Sequence, residues 1–114
     1  MSAEKKSLFL NQIIKQRQVV LIGPFYGELA SPPAVSDLPC LFVDRGADFL
    51  EKIKAKTSYS CGDGDSTQGK LDDLLPQDKN YSDLRYALDM LPDNIDRIML
   101  LGFLGGRKDH EYIN

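Results

Sequence analysis

Two carboxylates stand one residue apart in the stretch Cys61-Gly62-Asp63-Gly64-Asp65-Ser66, directly after a run typical of a β-strand. Glycine tolerates backbone conformations that other residues avoid, so such a turn lets Asp63 and Asp65 present oxygen atoms to one cation. Oxygen ligands are those that Mg²⁺ prefers in proteins. The same residue types also dominate ordinary solvated turns, and the local pattern alone favours that simpler interpretation. The choice between the two depends on which other residues join the pair.

Three further polar groups occupy comparable places in the chain. Asp44 follows the apolar run 40–43, Gly105-Gly106-Arg107 comes soon after the run 98–101, and Asp83 begins a predicted helix. Parallel strands bring their carboxyl ends to one edge of a sheet, so we expect these groups to converge there. Gathered carboxylates repel one another unless a divalent cation neutralises them. The pattern therefore favours a site for Mg²⁺ and a nucleotide, with the glycine amides and the arginine on phosphate oxygens.

The elements that position these groups alternate along the chain. Continuous apolar runs that stop at turn residues predict buried strands, and apolar residues at helical spacing predict helices. We predict strands at 19–22, 40–43, 57–61 and 98–101, a short strand or edge fragment at 74–76, and helices at 4–16, 49–56 and 83–91. This alternation predicts an α/β fold, specifically a three-layer α/β/α sandwich with a mostly parallel, Rossmann-like sheet. The stretch 26–39 is too rich in proline and small residues for regular structure, and no function can be assigned to it.

The first predicted helix is amphipathic. Its apolar residues Leu8, Phe9, Ile13 and Ile14 recur at helical spacing, so we expect all four on the face that packs against the sheet.

Length and composition limit the function classes. With 114 residues the chain is expected to form a single domain over 1–114, and a net charge of −3 gives no reason to expect nucleic acid as a partner. The apolar runs are much shorter than a membrane span, so we expect no membrane association and a cytoplasmic location. Cys40 and Cys61 lie in or beside strand-like runs and are expected to be reduced and buried.

Four motifs, taken in order, carry a family resemblance. They are Asp44-Arg45-Gly46-Ala47; Gly62-Asp63-Gly64-Asp65-Ser66; Lys79-Asn80-Tyr81-Ser82-Asp83 with Ala87-Leu88; and Gly105-Gly106-Arg107-Lys108-Asp109-His110 with Asn114. This series resembles thiamine pyrophosphokinase, whose motifs read Asp-Gly-Gly-Ala, Gly-Asp-Phe-Asp-Ser, Lys-Asp-x-Thr-Asp and Gly-Gly-Arg-x-Asp-His. The resemblance covers nearly the whole chain but only the N-terminal catalytic half of a family member.

The resemblance implies Mg²⁺-dependent transfer of pyrophosphate from ATP to thiamine, giving thiamine diphosphate and AMP. The catalytic residues that it implies are Asp44, Asp63, Asp65 and Asp83, of which the last three would bind the metal. The nucleotide- and phosphate-binding residues that it implies are Ser66, Gly105, Gly106, Arg107 and Asp109. It also implies a homodimer for the full-length form, with ATP or AMP and thiamine or a similar small molecule as partners.

Several positions depart from the family pattern. Arg45 replaces a glycine, Asn80 an aspartate and Gly64 a phenylalanine, and the segment 66–74 is shorter than in the family. The family's C-terminal β-sandwich domain, which supplies much of the thiamine pocket, is expected to be absent from this chain. Two other functions therefore stay open: a non-catalytic nucleotide-binding or regulatory module, and a pyrophosphokinase for another heterocyclic alcohol such as a pterin.

Overall fold

The strands of the computed structural model form one sheet. The model describes residues 2–29, 31–62, 71–74, 83–103 and 111–113. Within these ranges the strands are β1 (Gln18–Ile22), β2 (Pro39–Val43), β3 (Thr57–Gly62), β4 (Asp73–Leu74), β5 (Arg97–Leu101) and β6 (Glu111–Ile113). Their spatial order is β4-β3-β2-β1-β5-β6, with the first five parallel and β6 antiparallel to β5. The predicted α/β fold with a mostly parallel sheet is confirmed.

The central strands are apolar without interruption because both faces of the sheet are covered. In β1, Val19 and Leu21 belong to the core on one face, while Val20 and Ile22 belong to the core on the other. All four side chains are at most 1% exposed. Burying each of them stabilises the fold by about 1.5–3 kcal/mol relative to leaving it in water.

One face of the sheet is covered by two helices, α1 (Ser2–Gln16) and α3 (Asp83–Asp89). From α1, Phe9 and Ile13 enter the core as predicted, but Leu8 and Ile14 are 62% and 46% exposed, so their predicted burial is wrong. Successive residues of an α-helix are about 100° apart, which places Leu8 and Ile14 on opposite flanks of the Phe9–Ile13 stripe. The buried face of α1 is therefore narrower than the apolar residues of its sequence predict.

The other face is covered by shorter pieces. They are 3-10 helices at Tyr26–Glu28 and Asp44–Phe49 and the four-residue helix α2 (Leu50–Ile53). The helix predicted at 49–56 is thus too long. It ends early because Lys54 adopts a left-handed conformation with φ 54° and donates its backbone N–H to Leu50 O over 3.0 Å. The helical third layer of the predicted sandwich stays a prediction, since on this face the described residues form only short helical turns.

The strand order defines a switch point in the topology. From the central strand β1 the chain proceeds outward through β2, β3 and β4, and then returns to form β5 on the other side of β1. In open α/β sheets, ligands bind outside the carboxyl ends of the strands at such a point.

Among the helices described here, none has the length and apolar character needed to cross a bilayer.

Candidate functional site at the carboxyl edge of the sheet

The carboxyl ends of β1, β2 and β3 meet with almost no space between their backbones. A Cβ atom on Gly62, the last residue of β3, would stand 2.8 Å from the Cα of Asp44, which follows β2. A Cβ atom on Gly46 would collide with the carbonyl oxygen of Ile22 at the end of β1. Positions 62 and 46 therefore have no room for a Cβ atom. The glycines at these positions allow the segments after β1, β2 and β3 to come into contact along one edge.

The ends of β1 and β5 are joined in the same way. A Cβ atom on Gly23 would lie 2.6 Å from Gly102 O and 2.8 Å from the ring of Phe103. Gly102 has φ 82°, a left-handed conformation that favours glycine, and its carbonyl accepts a 2.8 Å hydrogen bond from the backbone N–H of Phe25. The switch point between β1 and β5 is therefore a fixed backbone surface made by the residues after the two strands.

Asp44 is the one predicted catalytic residue whose side chain lies in the described part of the chain. It has φ 53°, a left-handed conformation that is uncommon outside glycine and is tolerated best by aspartate and asparagine. The residue is half-buried, and its Oδ1 atom is shielded from solvent. The structure thus places a carboxylate at the predicted edge, on a backbone held in a costly conformation.

Most of the other predicted site residues lie outside the described part of the chain. Asp83 is the first residue of α3, as predicted, but the position of its side chain is not described. Outside the described ranges lie Asp63, Asp65, Ser66, Gly105, Gly106, Arg107 and Asp109. Within the described residues, no three His, Cys, Asp or Glu side chains form a group that could hold a metal ion. The predicted convergence of four carboxylates therefore stays a prediction, to which the structure adds the position of Asp44 beside the residue that precedes Asp63.

The structure shows how the turn after Asp44 accommodates Arg45, one of the positions at which the sequence differs from the motifs that it resembles. Of the two positions after Asp44, Gly46 packs against the end of β1 and admits no side chain, whereas Arg45 is exposed. An arginine at position 45 is therefore compatible with this turn, while the glycine at position 46 is required by its packing.

The contribution of β1 to this edge was missed by the sequence analysis. Phe25 and Tyr26 follow β1 at the switch point. Tyr26 begins the stretch 26–39, to which no function was assigned, and Phe25 directly precedes that stretch. The available signal was Gly23-Pro24 directly after an apolar run, which marks a strand end in the same way as the aspartates mark those of β2 and β3. Only the strand order shows that this end adjoins β5.

Cys40 in β2 and Tyr26 in the 3-10 helix Tyr26–Glu28 are buried in the same core on one face of the sheet, and both are poor candidates for chemistry. Burial raises the pKa of the Cys40 thiol to about 12, and its Sγ lies 3.4 Å from the carbonyl oxygen of Leu38. Burial also raises the pKa of Tyr26, with a smaller contribution from Cys40. The predicted reduced and buried state of Cys40 and Cys61 is confirmed, and the raised pKa leaves the Cys40 thiol without nucleophilic thiolate at neutral pH.

Three cavities that are lined by described residues lie away from Asp44. One of about 340 Å³ lies between Leu8 of α1 and Thr57 at the start of β3. Another of about 300 Å³ adjoins Arg17, and one of about 220 Å³ adjoins Lys52. The carboxyl edge is favoured over these cavities because parallel α/β sheets place ligands at that edge.

Comparisons of the sequence with protein-family models and with curated proteins, and of the structure with solved structures, found no match. The functional argument for this chain therefore rests on its motifs and on the geometry of the carboxyl edge.

Proposed function

We propose that this chain binds a nucleoside triphosphate with Mg²⁺ at the carboxyl edge of its sheet and acts as a thiamine pyrophosphokinase-like domain. The observation that carries the proposal is the direct contact between the backbones of Asp44 and Gly62. Gly62 is followed at once by Asp63 in the chain. The first two acidic motifs therefore begin at neighbouring strand ends instead of at opposite sides of the molecule.

The spacing of these strand ends suits a shared cation. Val43 and Cys61 are paired in the parallel ladder of β2 and β3, and neighbouring strands lie about 4.8 Å apart. Two carboxylates held at such a spacing would repel each other unless a cation lay between them. Their hard oxygen atoms fit Mg²⁺, which in nucleotide sites is held by one or two carboxylates together with phosphate oxygens.

The backbone of Asp44 gives independent support. A left-handed conformation at a residue other than glycine costs of order 1–3 kcal/mol, and such positions are concentrated at active sites and ligand clamps. Three described residues other than glycine have this conformation. Arg17 and Lys54 each follow the last residue of a helix, where it is a common cap, whereas Asp44 follows strand β2 and is the first aspartate of the motif series. That coincidence favours a functional role for Asp44 over the role of an ordinary turn residue.

In the proposed reaction, the hydroxyl oxygen of thiamine attacks the β-phosphorus of ATP. The new bond joins that oxygen to the β-phosphorus. The bond between the β-phosphorus and the oxygen that bridges it to the α-phosphorus breaks, so AMP leaves, and the hydroxyl proton is released. Bound Mg²⁺ would neutralise the charge on the phosphate oxygens. The protein's part is to hold the two substrates in line, which is the main source of catalysis in phosphoryl transfer.

Calorimetric titration with ATP, in the presence and absence of Mg²⁺, tests the binding step. Asp44→Asn is the sharpest variant because asparagine tolerates the left-handed backbone and removes only the charge. We expect Mg²⁺-dependent binding to weaken about tenfold or more in Asp44→Asn and in the double variant Asp63→Asn with Asp65→Asn. The matched control, Asp37→Asn with Asp93→Asn, removes two exposed carboxylates elsewhere and should bind as the wild type does. Equal affinity in all variants would contradict the proposal.

Turnover distinguishes the proposed kinase from its alternatives. Release of AMP that depends on thiamine supports the pyrophosphokinase, and release that depends on a pterin alcohol instead assigns a different acceptor. Mg²⁺-dependent binding of ATP without any AMP release assigns the non-catalytic nucleotide-binding module.

A further inference from the structure

We propose that Phe25 is a stacking platform for the base of the bound nucleotide. This inference rests on the proposed function, because it assigns a position to one part of the same ligand. It adds a base-binding residue in the segment that follows β1, a strand to which none of the four motifs belongs.

Phe25 is held in place by its backbone. Its N–H donates to Gly102 O over 2.8 Å, and its carbonyl accepts from the N–H of Glu28 over 2.9 Å. A Cβ atom on Gly102 would lie 2.8 Å from the carbonyl carbon of Phe25, so the ends of β1 and β5 are in direct contact at this residue. Phe25 therefore stands at the switch point, where mononucleotides bind in open α/β sheets.

The side chain of Phe25 is left outside the core. It is 39% exposed, whereas the adjacent Tyr26 is 6% exposed and packs its ring against Phe49 with 5.2 Å between the centroids. The fold thus buries one of two consecutive aromatic rings and leaves the other accessible on a fixed backbone. An aromatic ring in this position offers a face on which a nucleotide base can stack. Such stacking does not depend on which hydrogen-bonding groups the base carries.

The distance along the edge suits a nucleotide. Asp44 follows β2 and Phe25 follows β1 next to β5, so one or two strand spacings, about 5–10 Å, separate the acidic end of the site from the aromatic end. A nucleotide can bridge this span with its phosphates on the acidic side and its base on the aromatic side. The base is favoured over the thiamine ring because the resemblance is to the N-terminal half of the family, whereas much of the thiamine pocket belongs to the family's C-terminal β-sandwich domain.

The test compares Mg²⁺–ATP with Mg²⁺–tripolyphosphate, which has the phosphates but no base. In Phe25→Ala we expect the dissociation constant for ATP to rise roughly 5- to 150-fold, the range for loss of one stacked base. The dissociation constant for tripolyphosphate should stay within about twofold of the wild-type value. This ligand has no base to stack on Phe25 and makes only the contacts at the acidic end, which ATP shares. The control is Leu8→Ala, which removes another exposed apolar side chain and should change neither constant.

A second variant gives a direct optical readout. The chain contains no tryptophan, so Phe25→Trp places a single indole at the site. We expect ATP to quench its fluorescence and tripolyphosphate to leave it unchanged.

The outcomes separate this inference from the proposed function. If the wild type binds ATP and Phe25→Ala binds it equally well, the stacking inference is wrong and the proposed function stands. If Phe25→Ala weakens both ligands equally, Phe25 supports the edge structurally and the inference is overturned. If the wild type binds neither ligand, the proposed function fails, and the inference fails with it.

Discussion

The rings of Phe9 and Tyr59 stack with their centroids 5.7 Å apart, and both side chains are at most 2% exposed. This contact joins α1 to β3, the strand that leads the chain toward Asp63. We expect Phe9→Ala to lower the free energy of unfolding by about 3–5 kcal/mol, because it removes a large buried ring. The neighbouring Leu8→Ala, at a side chain that is 62% exposed, should change it by less than about 0.5 kcal/mol. Urea unfolding followed by circular dichroism measures both, and comparable effects would show that the buried face of α1 is assigned incorrectly.

The close approach of Gly62 to Asp44 predicts a second matched pair of variants. In Gly62→Ala the new Cβ would lie 2.8 Å from the Cα and 3.1 Å from the N of Asp44, both backbone atoms that cannot swing away. We expect a loss of about 1–3 kcal/mol in the free energy of unfolding, together with weaker Mg²⁺-dependent binding of ATP. In the control Gly27→Ala the nearest atoms belong to the ring of Phe49, at 3.2 Å, and a side chain can adjust. That variant should stay within about 1 kcal/mol of the wild type. Similar losses in both variants would mean that the contact with Asp44 imposes no special constraint.

Strands buried on both faces were the part of the fold that the sequence predicted best. β1, β2 and β5 contain continuous apolar runs. In a small α/β protein such runs indicate strands that are buried on both faces of the sheet. β6 was not predicted, because Glu111–Ile113 has no strand pattern of its own and becomes a strand by pairing with β5. The length of α2 was misjudged because its end depends on one backbone conformation, at Lys54.

For the candidate site, the motifs predicted that aspartates lie at the carboxyl edge of the sheet, and the structure places Asp44 there, but they did not indicate every residue at that edge. Asp44 could be found because a carboxylate after a buried strand stands out in the sequence. Phe25 could not, because its relevance depends on β5 lying next to β1, and strand order is a tertiary property that local patterns do not contain. The same limit applies to Gly46, whose requirement comes from a carbonyl oxygen of β1.

The ion pair between Arg17 and Asp96 predicts a dependence of stability on pH. Arg17 Nε lies 2.9 Å from Asp96 Oδ2, and the hydrogen bond from Arg17 lowers the pKa of Asp96. A carboxyl whose pKa is lowered in the folded state contributes stability above its unfolded pKa, and that contribution is lost as the pH falls through the folded pKa. Both side chains are more than half exposed, so we expect a small effect.

Urea unfolding of wild type and Asp96→Asn between pH 7 and pH 2 measures this contribution. The difference in unfolding free energy should be constant near neutral pH, shrink as the pH falls below about 4, and also shrink in 1 M salt. Asp93→Asn, which removes an exposed carboxylate three residues earlier, should show no such acid-dependent difference. A difference for Asp96→Asn that persists unchanged to pH 2 would contradict the assignment.

Asp72 closes the outer edge of β3 through its side chain. Its Oδ2 atom accepts hydrogen bonds from the backbone N–H of Ser60 over 2.9 Å and from Ser60 Oγ over 3.1 Å, while Ser60 Oγ accepts from the N–H of Asp72 over 2.9 Å. Lys5 Nζ also lies 2.9 Å from Oδ2. Ser60 is 1% exposed, so its polar groups depend on this carboxylate to satisfy their hydrogen bonds.

Three variants separate the buried hydrogen bonds from the exposed ion pair. Asp72→Ala should lower the free energy of unfolding by about 1–3 kcal/mol, because it leaves buried donors of Ser60 unsatisfied. Lys5→Ala removes only a partly exposed ion pair and should lower it by less than about 1 kcal/mol. Asp72→Asn retains an oxygen acceptor for Ser60 and should fall between the two. If Lys5→Ala proves as destabilising as Asp72→Ala in urea unfolding, the ion pair and not the bond to Ser60 holds this edge, and Asp72→Asn, which also removes that ion pair, should then equal the other two.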